Sequence, residues 1–136
     1  MTVTRTASCT CGQVRLTCTG EPIRVSVCHC RDCQKRTGSA FAAQVRWPSD
    51  QYTLSGETGS WQRTAENGNV STLTFCKQCG SNVLISFETA PEAVGIPLGT
   101  FATAEGPPLP QPLYSVYEER KHPWIAIVGD GIEHYD

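Results

Sequence analysis

The chain has 136 residues, a length that suits one domain with a modest core. Its net charge is −2 and its basic doublets, Lys35-Arg36 and Arg120-Lys121, are short, so no nucleic-acid partner is expected. No apolar run approaches the ~18 residues of a membrane span. The polar start, residues 1–8, lacks the apolar core of a secretory signal, so a cytoplasmic protein with no membrane partner is expected.

The predicted elements are short strands broken by turn residues. Residues 13–19 alternate, with Val14, Leu16 and Cys18 on one face, and Gly20-Glu21-Pro22 ends that strand. Residues 23–27 alternate again and lead into Cys28-His29-Cys30-Arg31-Asp32-Cys33. Residues 31–36 suit a helical turn stopped at Thr37-Gly38. Residues 41–47 form the next strand, closed by Pro48, and residues 52–54 a short one before the turn at 55–59. Residues 60–64 and 70–75 read as a hairpin around Glu66-Asn67-Gly68-Asn69, because Asn-Gly supplies the positive φ such turns need.

Residues 82–87 make another strand, directly after Cys76-Lys77-Gln78-Cys79-Gly80. Residues 89–93 suit a loop or one helical turn. Residues 94–100 suit a strand that Pro97 confines to an edge or a bulge. Pro107, Pro108, Pro110 and Pro112 make residues 105–112 an extended surface loop. Residues 113–117 and 124–128 are the last strand candidates, with a turn at Gly129-Asp130-Gly131. No stretch carries a long helical period, so one all-β domain over residues 1–136 is expected.

Seven of the eight cysteines fall into clusters: Cys9-x-Cys11, Cys28-x-Cys30-x-x-Cys33 and Cys76-x-x-Cys79. A reducing compartment disfavours disulfides, so this spacing points to metal. Cys18 stands alone in an alternating stretch and reads as a small core residue. Structural zinc takes four thiolate or imidazole ligands, and catalytic zinc takes three plus an open position. The seven clustered thiols divide naturally as four and three. Cys76-x-x-Cys79-Gly80 reads as a knuckle that brings two thiols to one ion, and Cys9 with Cys11 can supply the other two. The alternative is two unrelated thiol pairs without metal.

Cys28, Cys30 and Cys33 then remain for a second ion, one ligand short of tetrahedral. Three thiolates more than cancel a divalent charge, so the site is a weak Lewis acid, poor at ionising water. A substrate thiol is the soft fourth ligand that suits it, and zinc lowers a thiol's pKa. Thiol activation is therefore the chemistry expected. Backbone donors near Thr37-Gly38-Ser39 are candidates for steadying a developing alkoxide. The competing readings are a purely structural ion completed by His29, His122 or His134, and a redox switch in which the three thiols oxidise and release zinc. Iron or another thiophilic ion suits the same donors.

These residues carry a resemblance. The chain resembles the glutathione-dependent formaldehyde-activating family, whose domain also occurs in centromere protein V. The resemblance lies in Cys9-x-Cys11-Gly12, Cys28-His29-Cys30-x-x-Cys33, Gly38-Ser39-x-Phe41, Gly56 and Phe75-Cys76-x-x-Cys79-Gly80-Ser81, and extends weakly to Trp124. It covers about residues 7–130. It implies a β-tent fold of small antiparallel sheets stapled by zinc. It implies a structural zinc on Cys9, Cys11, Cys76 and Cys79, and a second, more labile zinc on Cys28, Cys30 and Cys33. The implied activity joins glutathione and formaldehyde to S-(hydroxymethyl)glutathione, a carbon–sulfur lyase reaction, with Cys28, Cys30 and Cys33 as ligands of the catalytic metal. The alternative is a non-catalytic zinc module for a protein or small-molecule partner. No glutathione-contacting residue is assigned, and the oligomeric state is left open.

Overall fold

A computed structural model describes residues 2–65, 67–103 and 105–136. In chain order its strands are β1 (Thr4–Ser8), β2 (Arg15–Thr19), β3 (Arg24–Cys28), β4 (Ala42–Pro48), β5 (Tyr52–Ser55), β6 (Thr58–Thr64), β7 (Val70–Cys76), β8 (Asn82–Phe87), β9 (Ala93–Pro97), β10 (Pro112–Val116) and β11 (Glu133–His134). One helix, α1 (Arg31–Thr37), separates β3 from β4. The all-β expectation holds. No helix among the described residues is long and apolar enough to cross a membrane.

Two sheets form. β1, β2 and β5 make a three-stranded antiparallel sheet. The other eight strands lie in the order β11-β10-β3-β4-β9-β8-β7-β6, with β10 parallel to both β3 and β11. One face of each sheet is apolar because side chains alternate along a strand. Ala7, Leu16 and Cys18 from the small sheet join Val25, Val45, Trp47, Val94 and Ile96 from the large one in a single buried cluster. Trp47 ties the layers together: its indole nitrogen donates to the Thr19 carbonyl at 3.1 Å, and its ring stacks on Phe101. Cys18 is buried in this core, as expected.

Three differences from the sequence expectations have physical causes. First, residues 4–8 form β1, although they read as a polar start. Arg5 hides the alternation, because it counts as polar yet is 3% exposed. Its guanidinium donates to Pro107 and Gly20 carbonyls, reaches Glu21 at 3.4 Å and lies over the Trp47 ring, so a charged residue fills an inward position. These bonds also pin the proline-rich loop, which is extended as expected. Second, residues 124–128 form no strand. Trp124 and Val128 are exposed, and β11 takes the free edge of β10 instead.

Third, β9 stops at Pro97 and lies inside the sheet between β4 and β8. Proline is accommodated because β8 pairs only with Val94 and Gly95. Residues 98–101 turn into a short 3-10 helix. The β6–β7 hairpin is present as expected, and Glu66 of its expected turn lies outside the described residues. At the tip, Gly68 has φ +85 and the Asn69 amide bonds to the Asn67 side chain at 2.9 Å.

Candidate metal centres

Cys9, Cys11, Cys76 and Cys79 converge, with all four sulfurs within 4.8 Å of one another. Cys9 follows β1, and the 9–12 turn is closed by the Gly12 amide on the Cys9 carbonyl at 3.2 Å. Cys76 ends β7, and the knuckle returns through Gly80, whose φ is +80. Thr10 and Ser81 hydroxyls, 2.9 Å apart, join the two turns. The Cys9–Cys11 and Cys11–Cys76 sulfur separations are 3.6 and 3.7 Å. Zn–S bonds of ~2.3 Å in a tetrahedron put sulfurs about 3.8 Å apart, so the array fits one zinc ion.

Donors surround these sulfurs. The Val14 amide reaches Cys9 at 3.3 Å, the Gln78 and Cys79 amides reach Cys76 at 3.3 and 3.4 Å, and the Gln13 side-chain amide reaches Cys76 at 3.0 Å. Burial alone would raise the Cys76 pKa, but the Cys79, Gln13 and Gln78 donors outweigh it and lower the net value. The Ser81 hydroxyl and amide draw Cys79 down to about 5. Cys11 is pushed up to about 11: the Gln13 amide lowers it, but burial and the three neighbouring thiols prevail. Four negative sulfurs this close repel one another, and a divalent cation lets all four ionise.

Gln13 sits at the heart of this corner. Its side chain accepts from the Glu57 amide at 2.9 Å and donates to the Glu57 carbonyl at 2.7 Å. Gly56, just before, has φ +108, and a Cβ there would run into the Gln13 carbonyl and the Val14 Cα. Only glycine allows that approach.

The second cluster is Cys28, Cys30 and Cys33, with sulfurs also mutually within 4.8 Å. β3 delivers Cys28. Cys30 is the N-cap of α1, its sulfur accepting from the Cys33 amide at 3.3 Å. Cys33 lies in the first turn of α1. Arg36 anchors this helix to β8 through Asn82 Oδ1 at 2.9 Å. The Cys28 and Cys33 thiols donate to Cys30 and hold its pKa well below the usual thiol range, helped by the Cys33 amide and the Arg63 charge. Cys28 is pushed far up by its bonds to Cys30 and Cys33 and by burial. A thiolate flanked by two thiols suits a metal that displaces their protons.

No histidine joins this cluster among the described residues. His29 points away, as flanking residues expect. It is fully buried, and its Nε2 lies 2.9 Å from Ser115 Oγ. His122 bonds to Gln34 Oε1 at 2.9 Å, and His134 to Glu118 at 2.7 Å. The Thr37-Gly38-Ser39 donors are used elsewhere. The Gly38 amide caps α1 on the Gln34 carbonyl at 2.9 Å, the Ser39 amide bonds to Thr37 Oγ1, and the Thr37 hydroxyl donates to the Cys33 carbonyl. None of these residues lines the cavity described next, which removes them as alkoxide donors.

A cavity of about 470 Å³ opens beside the three thiols. Cys28, Cys30 and Cys33 form one wall, and Arg63, Ser71 and Phe87 from the β6–β7–β8 region form the other. Tyr117 also lines the cavity, with φ +56, the left-handed backbone that a bulky residue rarely adopts. Sequence reasoning missed this second wall. The hairpin was legible, but its residues are ordinary strand types, and only the sheet's register brings Arg63 to the thiols.

The comparisons with known proteins agree with this architecture. A family model described as glutathione-dependent formaldehyde-activating enzyme matches residues 4–120. No curated protein matches the chain. A crystal structure of a Rhodobacter sphaeroides protein, a Northeast Structural Genomics target, is similar in fold: TM-score 0.55 and 19% identity, over 70% of this chain and 85% of that one. The chain belongs to the glutathione-dependent formaldehyde-activating family. The matched residues include both thiol clusters and stop before Trp124.

Proposed function

We propose that this member of the family joins a thiol to a small aldehyde, with glutathione and formaldehyde as the pair, giving S-(hydroxymethyl)glutathione. In this reading residues 1–136 act as a single domain. Cys9, Cys11, Cys76 and Cys79 hold a structural zinc, and Cys28, Cys30 and Cys33 hold a second zinc where the chemistry occurs. The observation that carries the reading is the three-thiol cluster, one ligand short of tetrahedral, facing a cavity of about 470 Å³. That volume lies in the range of small-molecule sites.

Zinc bound by these residues supplies positive charge that keeps an incoming thiol ionised near neutral pH. The chain's own contribution is placement. The α1 N-cap and the Arg36–Asn82 bond fix Cys30 and Cys33, and the Arg63 charge favours anions at the same spot. The sulfur then forms a bond to the carbonyl carbon of the aldehyde. The carbonyl π electrons move to oxygen, which takes up the proton that the thiol released. Run backwards, the same step breaks a carbon–sulfur bond, as a lyase does. A cytoplasmic location suits the eight free cysteines.

The test follows ¹³C exchange between formaldehyde and S-(hydroxymethyl)glutathione by NMR. Exchange faster than the spontaneous rate, and lost in Cys30→Ser, is expected. Equal rates with and without protein overturn the activity. If two tightly held ions also prove indifferent to glutathione, the chain is a zinc-binding module without catalysis.

A further inference from the structure

Four buried side-chain nitrogen or oxygen atoms lack a hydrogen-bond partner among the described residues: Arg24 Nε, Gln44 Oε1, Arg63 Nε and His29 Nδ1. The first three lie on one face of the eight-stranded sheet. Arg24, Ser26 and Cys28 alternate along β3, so they share a side. Arg24 pairs with Arg46, and Ser26 with Gln44. Arg46 pairs with Gly95, and Gly95 with Ile85. Phe87 lies two residues from Ile85, opposite Ser71, and Ser71 is opposite Arg63. The face that holds Cys28 therefore also holds Arg24, Gln44, Arg46 and Arg63. A Cβ at Gly95 would collide with Gln44 Oε1, which confirms that the Gln44 side chain lies across this surface.

The face is rich in cations and poor in partners. Among the described residues, ion pairs involve Arg5, Lys121 and His134, and none involves Arg24, Arg46 or Arg63. Arg24 and Arg46 stand directly opposite each other, an unfavourable arrangement for like charges. They rest on aromatic rings instead, Arg24 5.5 Å from Tyr114 and Arg46 4.2 Å from Phe87. A solvated surface arginine keeps its nitrogens in water, whereas Arg24 and Arg63 have Nε sealed from it. The cavity beside the central thiols runs onto this face through Arg63, Ser71 and Phe87.

We propose that this face is the carboxylate-binding half of the substrate site, with Arg63 taking a carboxylate of the bound thiol and Arg46 with Arg24 favouring a second one beyond Phe87. The proposal rests on the thiol-adduct reading above and names what selects the thiol. The ligand class is a short peptide thiol with a carboxylate at each end, about 10 Å long when extended. Cys28 and Arg24 are four strand residues apart, about 13 Å between Cα atoms, and the arginine side chain shortens that distance. Guanidinium groups suit carboxylates because they offer paired donors in one plane. A thiol without carboxylates gains nothing from this face.

The test measures binding of S-methylglutathione by calorimetry, since its blocked sulfur cannot become a thiolate ligand. The protein is zinc-loaded, and zinc content and thermal stability are checked in each variant. Arg63→Gln is expected to weaken binding about tenfold to a hundredfold. Esterifying the ligand's carboxylates should weaken binding to the wild type by a similar factor but add little in Arg63→Gln. Arg63→Lys should recover part of the loss. Unchanged affinity in a folded Arg63→Gln overturns the proposal and leaves the thiol reading standing. If Arg63→Gln does not fold, Arg46→Gln answers the same question with the same two outcomes. A wild type that binds neither glutathione nor S-methylglutathione overturns the thiol reading, and the carboxylate face with it.

Discussion

Replacing Cys79 by alanine tests the metal proposed for the outer cluster. Cys79 is exposed, so its loss removes little packing, and a large effect on stability would report a bound ion. The relevant link is Cys11 to Cys76, whose sulfurs lie 3.7 Å apart across 65 residues of chain. Closing a loop of that length removes about 4 kcal/mol of conformational freedom from the unfolded chain. A zinc site returns on the order of 10–16 kcal/mol in isolated zinc peptides, so a four-thiolate site closes this loop with margin. Three thiolates bind more weakly. If Cys79→Ala empties the site, the variant loses at least the ~4 kcal/mol of loop restraint. With an unfolding entropy near 2.1 cal/mol/K per residue, that is a fall in Tm of about 15 °C for a chain of this size. The assay is thermal circular dichroism with zinc counted per chain, and Lys77→Ala, an exposed change in the same knuckle, as control. A Cys79→Ala protein with wild-type zinc content and wild-type Tm refutes the assignment of Cys9, Cys11, Cys76 and Cys79 as a structural staple.

Cys30→Ser should lose one zinc equivalent and all catalysed exchange while Tm moves by only a few degrees, because an ion on Cys28, Cys30 and Cys33 would close a loop of only six residues; metal analysis with calorimetry checks this. Gly56→Ala should destabilise by about 3 kcal/mol or more, from strain at φ +108 plus collision with the Gln13 carbonyl, whereas Gly12→Ala, at φ +84 with open space around it, should cost about 1 kcal/mol; urea denaturation separates the two. Ser39→Ala should leave turnover intact, since Ser39 does not line the cavity beside the thiols. The Glu118 carboxyl is held below its ordinary value, first by the His134 bond and then by Ser115 and Lys121. A depressed carboxylate stabilises above its unfolded pKa and loses that stability as pH falls through the folded value. Acid denaturation of Glu118→Gln should therefore be less steep below about pH 4.5 than that of the wild type.

Both thiol clusters were legible from spacing, because the preference of metals for sulfur and the reach of a tight turn are local facts. Cys28-x-Cys30-x-x-Cys33 is only six residues long, and Cys76-x-x-Cys79-Gly80 carries its own turn. Period-two alternation likewise exposed most strands, since burying one face of a sheet writes itself into every second residue. It failed where that rule was masked. Arg5 occupies an inward position through hydrogen bonds that the chain makes a hundred residues away. Residues 124–128 look apolar enough for a strand, but whether a strand forms depends on a free edge, and β11 already takes it.

By itself, the sequence determined the donor set: which sulfurs exist, how they group, and that one group is a ligand short. Tertiary structure decided what that group faces. Strand register sets which side chains share a surface, and register depends on partners far along the chain. It brings Arg63 of the β6–β7 hairpin to the wall opposite Cys30, and it lays Arg24 and Arg46 on the face of Cys28. Nothing local in those arginines announces a site, because each sits in an unremarkable strand. Only once the strands pair do three arginines share a surface with the thiols.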